Sequence, residues 1–230
     1  MTTVKPETFD PRERRLPVNL VRLLLWAFFK LFYGIRWLHP ERVPKTGPVI
    51  LAPSHASFYD PLIVSVPVWR RSSYFTNDHY FGRFLGPVIR YIGAFPVDLK
   101  KKFDREAYEV ARQALEQGSL LVLFPEGTRT FDGRLGAIRA GVATLAVETG
   151  ATIIPVSVCG AFEAWPRTRS FPRVFKRLSI KYHRPIVVEA TTDRAERRER
   201  VAEINARLER AMAPRLRAWH NALERRKAKE

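Results

Sequence analysis

The chain is poor in cysteine. Of its 230 residues only Cys159 carries a thiol, which excludes an internal disulfide framework and a metal cage built on cysteine. A single thiol suits a reducing compartment. The G-x-S-x-G elbow is missing as well, so no serine sits in the strand–turn–helix setting that activates such a nucleophile. No stretch repeats another, which excludes a solenoid or array. Acidic residues are scarce: 23 Asp and Glu stand against 40 Lys and Arg, a net charge of +17. Such a surface seeks nucleic acid, anionic lipid or an acidic carrier. No recognised nucleic-acid motif accompanies the charge. Nor is it gathered in a tail, because residues 1–50 and residues 192–230 each carry an excess of five cations. A broad anionic surface is therefore the better partner.

Hydrophobic residues make up 46% of the chain, enough for one domain with a full core. Residues 1–15 are polar and charged. Residues 16–38, "LPVNLVRLLLWAFFKLFYGIRWL", are the most apolar stretch. Lys30 interrupts it and no small-residue cleavage site follows, so a cleaved signal peptide is not expected. At 100° per residue, Asn19, Arg22, Lys30 and Arg36 share one arc of roughly 120°, and Leu, Trp, Phe and Tyr fill the rest. Three readings compete: a buried core helix, a transmembrane span and a helix lying in the headgroup plane. A span would place Lys30 in hydrocarbon, at about 2.5–3.5 kcal/mol for a central position. The interfacial helix avoids that cost and sets its cations against lipid phosphates. It is the favoured reading, with a break at Gly34 into two pieces.

From Pro48 onward, short apolar runs alternate with helical ones. Strands are expected at Val49–Ala52, Ser73–Thr76, Ile92–Val97, Leu120–Phe124 and Thr152–Val158, with one or two more around Pro185. Helices are expected within Pro61–Val68, over Arg105–Gln117 after an Asp104 cap, over Ile138–Thr149 and over residues 192–212, where Pro214 should break or kink the last. Fully apolar strands separated by helices imply an α/β fold, a mostly parallel sheet covered by helices, with an N-terminal membrane-associated segment. The expected division is a lead-in and amphipathic segment over 1–42, a catalytic domain over 43–190 and charged C-terminal helices over 191–230.

Two constellations carry chemistry. In "SHASFYD" the apolar run 49–52 ends in a turn holding His55, with Asp60 five positions on. On one continuous helix the two side chains would point apart. With His55 in the turn and Asp60 in the first helical turn they can meet, the carboxylate holding one ring nitrogen and leaving the other as a base. The plain alternative is a capping Asp beside an unrelated surface His. In "LVLFPEGTRT" an apolar strand ends in Glu126, Gly127, Thr128 and Arg129. Ligands of parallel sheets bind beyond the carboxyl ends of the strands. Gly127 permits a tight turn, Arg129 offers a forked donor for phosphate, and Glu126 can accept from a hydroxyl or brace Arg129. An ordinary turn with a surface ion pair explains the same four residues.

"SHASFYD", then "FPEGTRT" some seventy positions later, then "IIPVSV" at Ile153–Val158, together resemble the glycerolipid acyltransferase family, 1-acylglycerol-3-phosphate (lysophosphatidate) acyltransferase branch. The likeness runs from about Val43 to Ile186. It implies that His55 is the general base, that Asp60 orients it, and that Glu126, Gly127, Thr128 and Arg129 bind the glycerol-phosphate part of the acceptor. Pro155 matches a block whose role looks structural. The chain departs from the family in "GAFPVDLKK", Gly93–Lys101, where the family's Arg is replaced by Leu99; Lys100, Lys101 and Lys102 follow, and Lys100 and Lys101 stand in as acceptor-binding candidates.

The resemblance implies transfer of an acyl group from acyl-CoA or acyl-carrier protein to the hydroxyl of a lyso-lipid. The expected acceptor is 1-acylglycerol-3-phosphate and the product phosphatidic acid, with no metal or cofactor. The expected place is the cytoplasmic face of the cell membrane, as a peripheral or monotopic protein that binds an anionic surface and no nucleic acid. Leu99 keeps another acceptor open, such as lyso-ornithine lipid. A basic membrane- or nucleic-acid-binding protein without chemistry is the alternative of a different class.

Overall fold

In a computed structural model, residues 15–70, 72–77, 94–97 and 105–229 are described. Seven strands form one sheet in the order β1-β7-β6-β2-β5-β3-β4, where β1 is Arg36–Leu38, β2 Val49–Pro53, β3 Ser72–Asn77, β4 Ala94–Val97, β5 Leu120–Val122, β6 Thr152–Cys159 and β7 Ser179–Tyr182. Every pairing is parallel except β6 with β7. The expected mostly parallel sheet is therefore the observed one.

The central strands read as unbroken apolar runs because both their faces are buried. Alternate residues serve opposite cores. Val49 and Leu51 of β2 join one cluster with Phe29, Tyr33, Leu120, Val122, Ile154 and Val156. Ile50 and Ala52 join the other, with Leu121, Ile153 and residues from α3 (Arg105–Glu116), α4 (Gly141–Thr149) and α6 (Arg194–Lys227). The first face is covered by α1 (Arg15–Tyr33). Two short helices, α2 (Asp60–Ile63) and α5 (Ala161–Ala164), follow β2 and β6. At the start of α5, Gly160 has φ +85°, and a Cβ there would lie 2.0 Å from the Arg177 carbonyl oxygen, so the chain can cross here only without a side chain.

Several expectations are corrected. The stretch beyond Gly34 is a strand rather than a second helical piece: Gly34 turns the chain at φ +51°, and Arg36–Leu38 pairs with β7. A boundary at residue 42 therefore does not separate the lead-in from the sheet, since β1 is an edge strand of it. The C-terminal helix is equally integral, burying Ile204, Leu208, Met212 and Leu216 in the second core. Pro214 does not break it. The bond lost to the missing N–H is outweighed by the packing of these neighbours, each worth up to about 1.5–3 kcal/mol when fully buried. Leu99, Lys100, Lys101, Lys102 and Asp104 lie outside the described residues.

The arc of α1 that carries Arg22 also faces inward. Arg22 donates to the Arg70 carbonyl at 3.1 Å and lies over Trp69, and burial lowers its pKa. Leu25, Phe29, Phe32 and Tyr33 pack on the same side. Elsewhere on its surface the helix leaves Leu20, Leu23, Leu24, Trp26 and Leu31 exposed, Leu31 by 75%. The expectation that the cations of this helix are set against lipid phosphates thus fails for Arg22, which the protein itself engages, while Lys30 remains exposed. No described helix is long and apolar enough to cross a membrane.

His183, at the end of β7, pairs with the buried Ser157 at 2.8 Å. Burial first, then Lys181, Arg215, Arg42 and His39, push its pKa down from 6.5 to about 4. As pH falls, the unfolded chain takes up this proton before the folded one does, so the contribution is present above pH 6.5 and is lost between 6.5 and about 4. Melting temperature should fall across that window, and His183→Asn should flatten the fall. A variant whose melting temperature follows the wild-type pH curve would show that His183 takes up its proton as freely in the fold as in the unfolded chain.

Candidate active site

Three chain segments meet at the carboxyl ends of β2 and β5. The loop after β2 carries His55, and α2 opens with Asp60. Asp60 is fully buried. Its Oδ2 accepts from the Ala56 N–H at 2.6 Å, from the Ser57 N–H at 2.7 Å and from the His55 ring at Nδ1, 2.9 Å away. A carboxylate can only accept, so Nδ1 carries the ring proton and Nε2 is left as the bare, basic nitrogen. The imidazole lies flat on Phe124, with ring centroids 3.7 Å apart and planes 20° apart, and its side chain is 17% exposed. The ring is therefore held in tautomer by Asp60 and in plane by Phe124. Oδ1 of Asp60 is buried without a hydrogen-bond partner among the described residues.

The 126–130 turn is tied to this loop through its backbone. Glu126 Oε1 accepts from the His55 N–H at 2.8 Å, and Oε2 from the Gly136 N–H at 2.7 Å. The Thr130 N–H donates to the His55 carbonyl at 2.8 Å. Both backbone polar groups of His55 are thus held by one turn. Burial raises the Glu126 pKa, against the lowering pull of those two amides. Beside the substrate hydroxyl or Arg129 that its sequence position suggests as partners, Glu126 thus holds two backbone amides. Gly136 leaves room for it, since a Cβ there would stand 2.9 Å from Oε2. Gly127 makes the turn at φ +70°, with the Arg139 side chain folded over it.

Arg129 lies half-buried over the face of Phe58, its guanidinium carbon 3.6 Å from the ring centroid. Phe58 leans on Trp165, which also meets Tyr59 edge-on. Arg167 donates to the Arg129 carbonyl at 3.1 Å and to the Thr128 hydroxyl at 3.4 Å, while its guanidinium covers Phe131. Thr128 is exposed at the rim. His55, Asp60, Glu126, Gly127, Thr128 and Arg129 are thus gathered at one end of the sheet.

Phe124, Phe58 and Arg167 were not anticipated. Phe124 and Phe58 stand inside the two quoted motifs, as an aromatic next to each polar group. Arg167 has no local signal at all.

Two nucleophilic groups near the strand ends, those of Cys159 and Ser157, are shut away. Cys159 is buried and its thiol is pushed up to about 11, chiefly by burial. Ser157 is fully buried beside His183. The described residues contain no cluster of His, Cys, Asp and Glu fit to hold a metal.

The family described as Acyltransferase matches residues 35–159, more than half of the chain. A chloroplastic 1-acyl-sn-glycerol-3-phosphate acyltransferase, LPAT1 of Arabidopsis thaliana, is 28% identical over 188 residues, 77% of this chain and 51% of the relative. A probable 1-acyl-sn-glycerol-3-phosphate acyltransferase of Mycoplasma pneumoniae is 27% identical over 68% of this chain and 60% of its own. The chain spans about half the length of the curated relatives it matches. In fold it is similar to the crystal structure of the acyltransferase PlsC from Thermotoga maritima, at a TM-score of 0.65 and 23% identity, covering 86% of this chain and 83% of that one.

Proposed function

This chain belongs to the acyltransferase family, and on that premise we propose that it acylates the free hydroxyl of 1-acylglycerol-3-phosphate, giving phosphatidic acid. Acyl-CoA or acyl-carrier protein is the donor. The acceptor hydroxyl attacks the thioester carbonyl while His55 Nε2 takes its proton; the new C–O ester bond forms, the C–S bond breaks, and the imidazolium returns the proton to the leaving thiolate. Asp60 stabilises the imidazolium that forms. Backbone N–H groups serve the oxyanion. The carrying observation is the bare Nε2, fixed by a fully buried carboxylate and an aromatic floor. Arg129, held over Phe58 at the same end of the sheet, is the cation for the acceptor phosphate. The buried Cys159 and Ser157 support direct attack over a covalent acyl-enzyme. The exposed apolar face of α1 supports a seat on the membrane that holds the acceptor, and the cytoplasmic side, where the acidic donors are dissolved, is part of the same proposal.

The test is release of free thiol from acyl-CoA, and from acyl-carrier protein, across a panel of lyso-lipids. Release should depend on 1-acylglycerol-3-phosphate. Arg129→Ala should lower acceptor kcat/KM by the equivalent of about 1.5–3 kcal/mol, with a smaller effect on the donor. Equal use of a phosphate-free acceptor such as lyso-ornithine lipid, together with an inert Arg129→Ala, would transfer the assignment to that acceptor and fit Leu99. No release with any pair, alongside tight binding of nucleic acid at physiological salt, would overturn the enzymatic reading.

A further inference from the structure

Besides α1, a second surface exposes large apolar groups. Phe171 is 78% exposed and Phe175 74% exposed, with Val174 exposed between them. A loose loop could do this by accident, but this one is fastened. The Arg173 N–H donates to the Ala164 carbonyl at 2.7 Å, the Phe175 N–H to Phe32 at 2.9 Å and the Leu178 N–H to Tyr33 at 3.3 Å. Phe175 adopts φ +60°, a left-handed conformation that bulky residues rarely hold. Fixing a phenylalanine there while leaving most of its ring in water is costly twice over, and such outliers gather where a function needs the geometry. The Phe175 ring meets Phe32 of α1 at 6.2 Å, and Phe32 in turn meets the exposed Phe28 at 5.0 Å, so the loop borders the exposed apolar face of that helix. Its charges are of one sign. Arg169, Arg173, Lys176 and Arg177 flank the rings, and no acidic residue occurs between Glu163 and Glu189. None occurs between Glu13 and Glu41 either, the stretch that forms α1.

We propose that the 169–177 loop is a second membrane-insertion point, seating Phe171 and Phe175 among the acyl chains of an anionic bilayer while its four cations meet the lipid phosphates. Apolar rings bounded by cations fit a lipid surface of negative charge. Two separated points, α1 and this loop, fix the domain's tilt as one helix could not, since a single helix leaves rotation about its own axis free. The proposal rests on the acyltransferase reading only in that a bilayer lipid is the acceptor.

The experiment uses the full chain and vesicles of phosphatidylcholine, with and without phosphatidylglycerol. The double variant Phe171→Ser/Phe175→Asn removes both rings, and Asn accepts the left-handed backbone at position 175, so the fold is kept. Vesicle partitioning should fall by at least about tenfold. Turnover of a short-chain acceptor presented as monomers should stay at the wild-type level. Replacing Arg169, Arg173, Lys176 and Arg177 by Gln should erase much of the preference for phosphatidylglycerol vesicles. Wild-type partitioning of the double variant would overturn the proposal. So would a loss of self-association on light scattering with partitioning unchanged, which would assign the rings to a second copy of the chain. Absence of thiol release with vesicle binding intact would instead strike the reaction and leave the insertion point standing.

Discussion

His55→Ala should reduce kcat by about 10²–10⁴-fold, the usual worth of a positioned general base. The ring belongs to neither buried core and touches the first only through Phe124, and Asp60 keeps its two backbone N–H partners without it. Circular dichroism and vesicle binding should therefore stay close to wild type while thiol release collapses. KM for the acceptor should change little, because on the proposed mechanism Nε2 meets the hydroxyl proton chiefly as the transition state forms. Turnover within a few-fold of wild type in a folded variant would remove His55 from the mechanism.

Asp60→Asn should cost a comparable factor for a different reason. The carboxylate oxygen that holds Nδ1 also accepts two backbone N–H groups. An amide has one acceptor end and one donor end. With the donor end toward the ring, the tautomer is inverted and Nε2 carries the proton; with the acceptor end there, the negative charge that stabilises the imidazolium is still gone. Melting temperature should fall too, by the equivalent of about 1.5–3 kcal/mol for weakened charge-assisted bonds. The decisive measurement is the double variant. If Asp60 acts through His55, His55→Ala/Asp60→Asn should be barely slower than His55→Ala alone. Additive losses in kcat would mean that Asp60 serves the reaction by a separate route.

How much of this was legible in the chain depended on whether the cause was local. Strands β2, β5 and β6 could be placed because burial on both faces writes itself as an unbroken apolar run. The His55–Asp60 pairing could be read because a turn followed by one helical turn closes that spacing. The orientation of α1 could not: a helical wheel finds the polar arc but not the carbonyl of Arg70 that draws Arg22 inward. The bonds that Glu126 makes to the backbone amides of His55 and Gly136 could not be read, because such partners leave no mark on side-chain pattern. The strand β1 hid within an apolar stretch that suited a helix equally well, and only its partner β7 decided the matter. Arg167 reaches the Arg129 turn from beyond β6, so no window of sequence contains both ends of that contact.

The pairing of β1 with β7 bears on the order in which the molecule is made. Arg36 lies opposite Ser179, and the whole of the catalytic chain falls between them. During synthesis α1 leaves the ribosome long before the strand that fastens it exists, and before Tyr59 and Leu178 can cover Phe29 and Tyr33. For that interval its inner and outer faces are equally naked. Contacts so distant in sequence close slowly, and exposed apolar helices aggregate while they wait. A nascent chain of this design gains from anything that covers α1 early, because the sheet that shelters its inner face is complete only when β7 has been made.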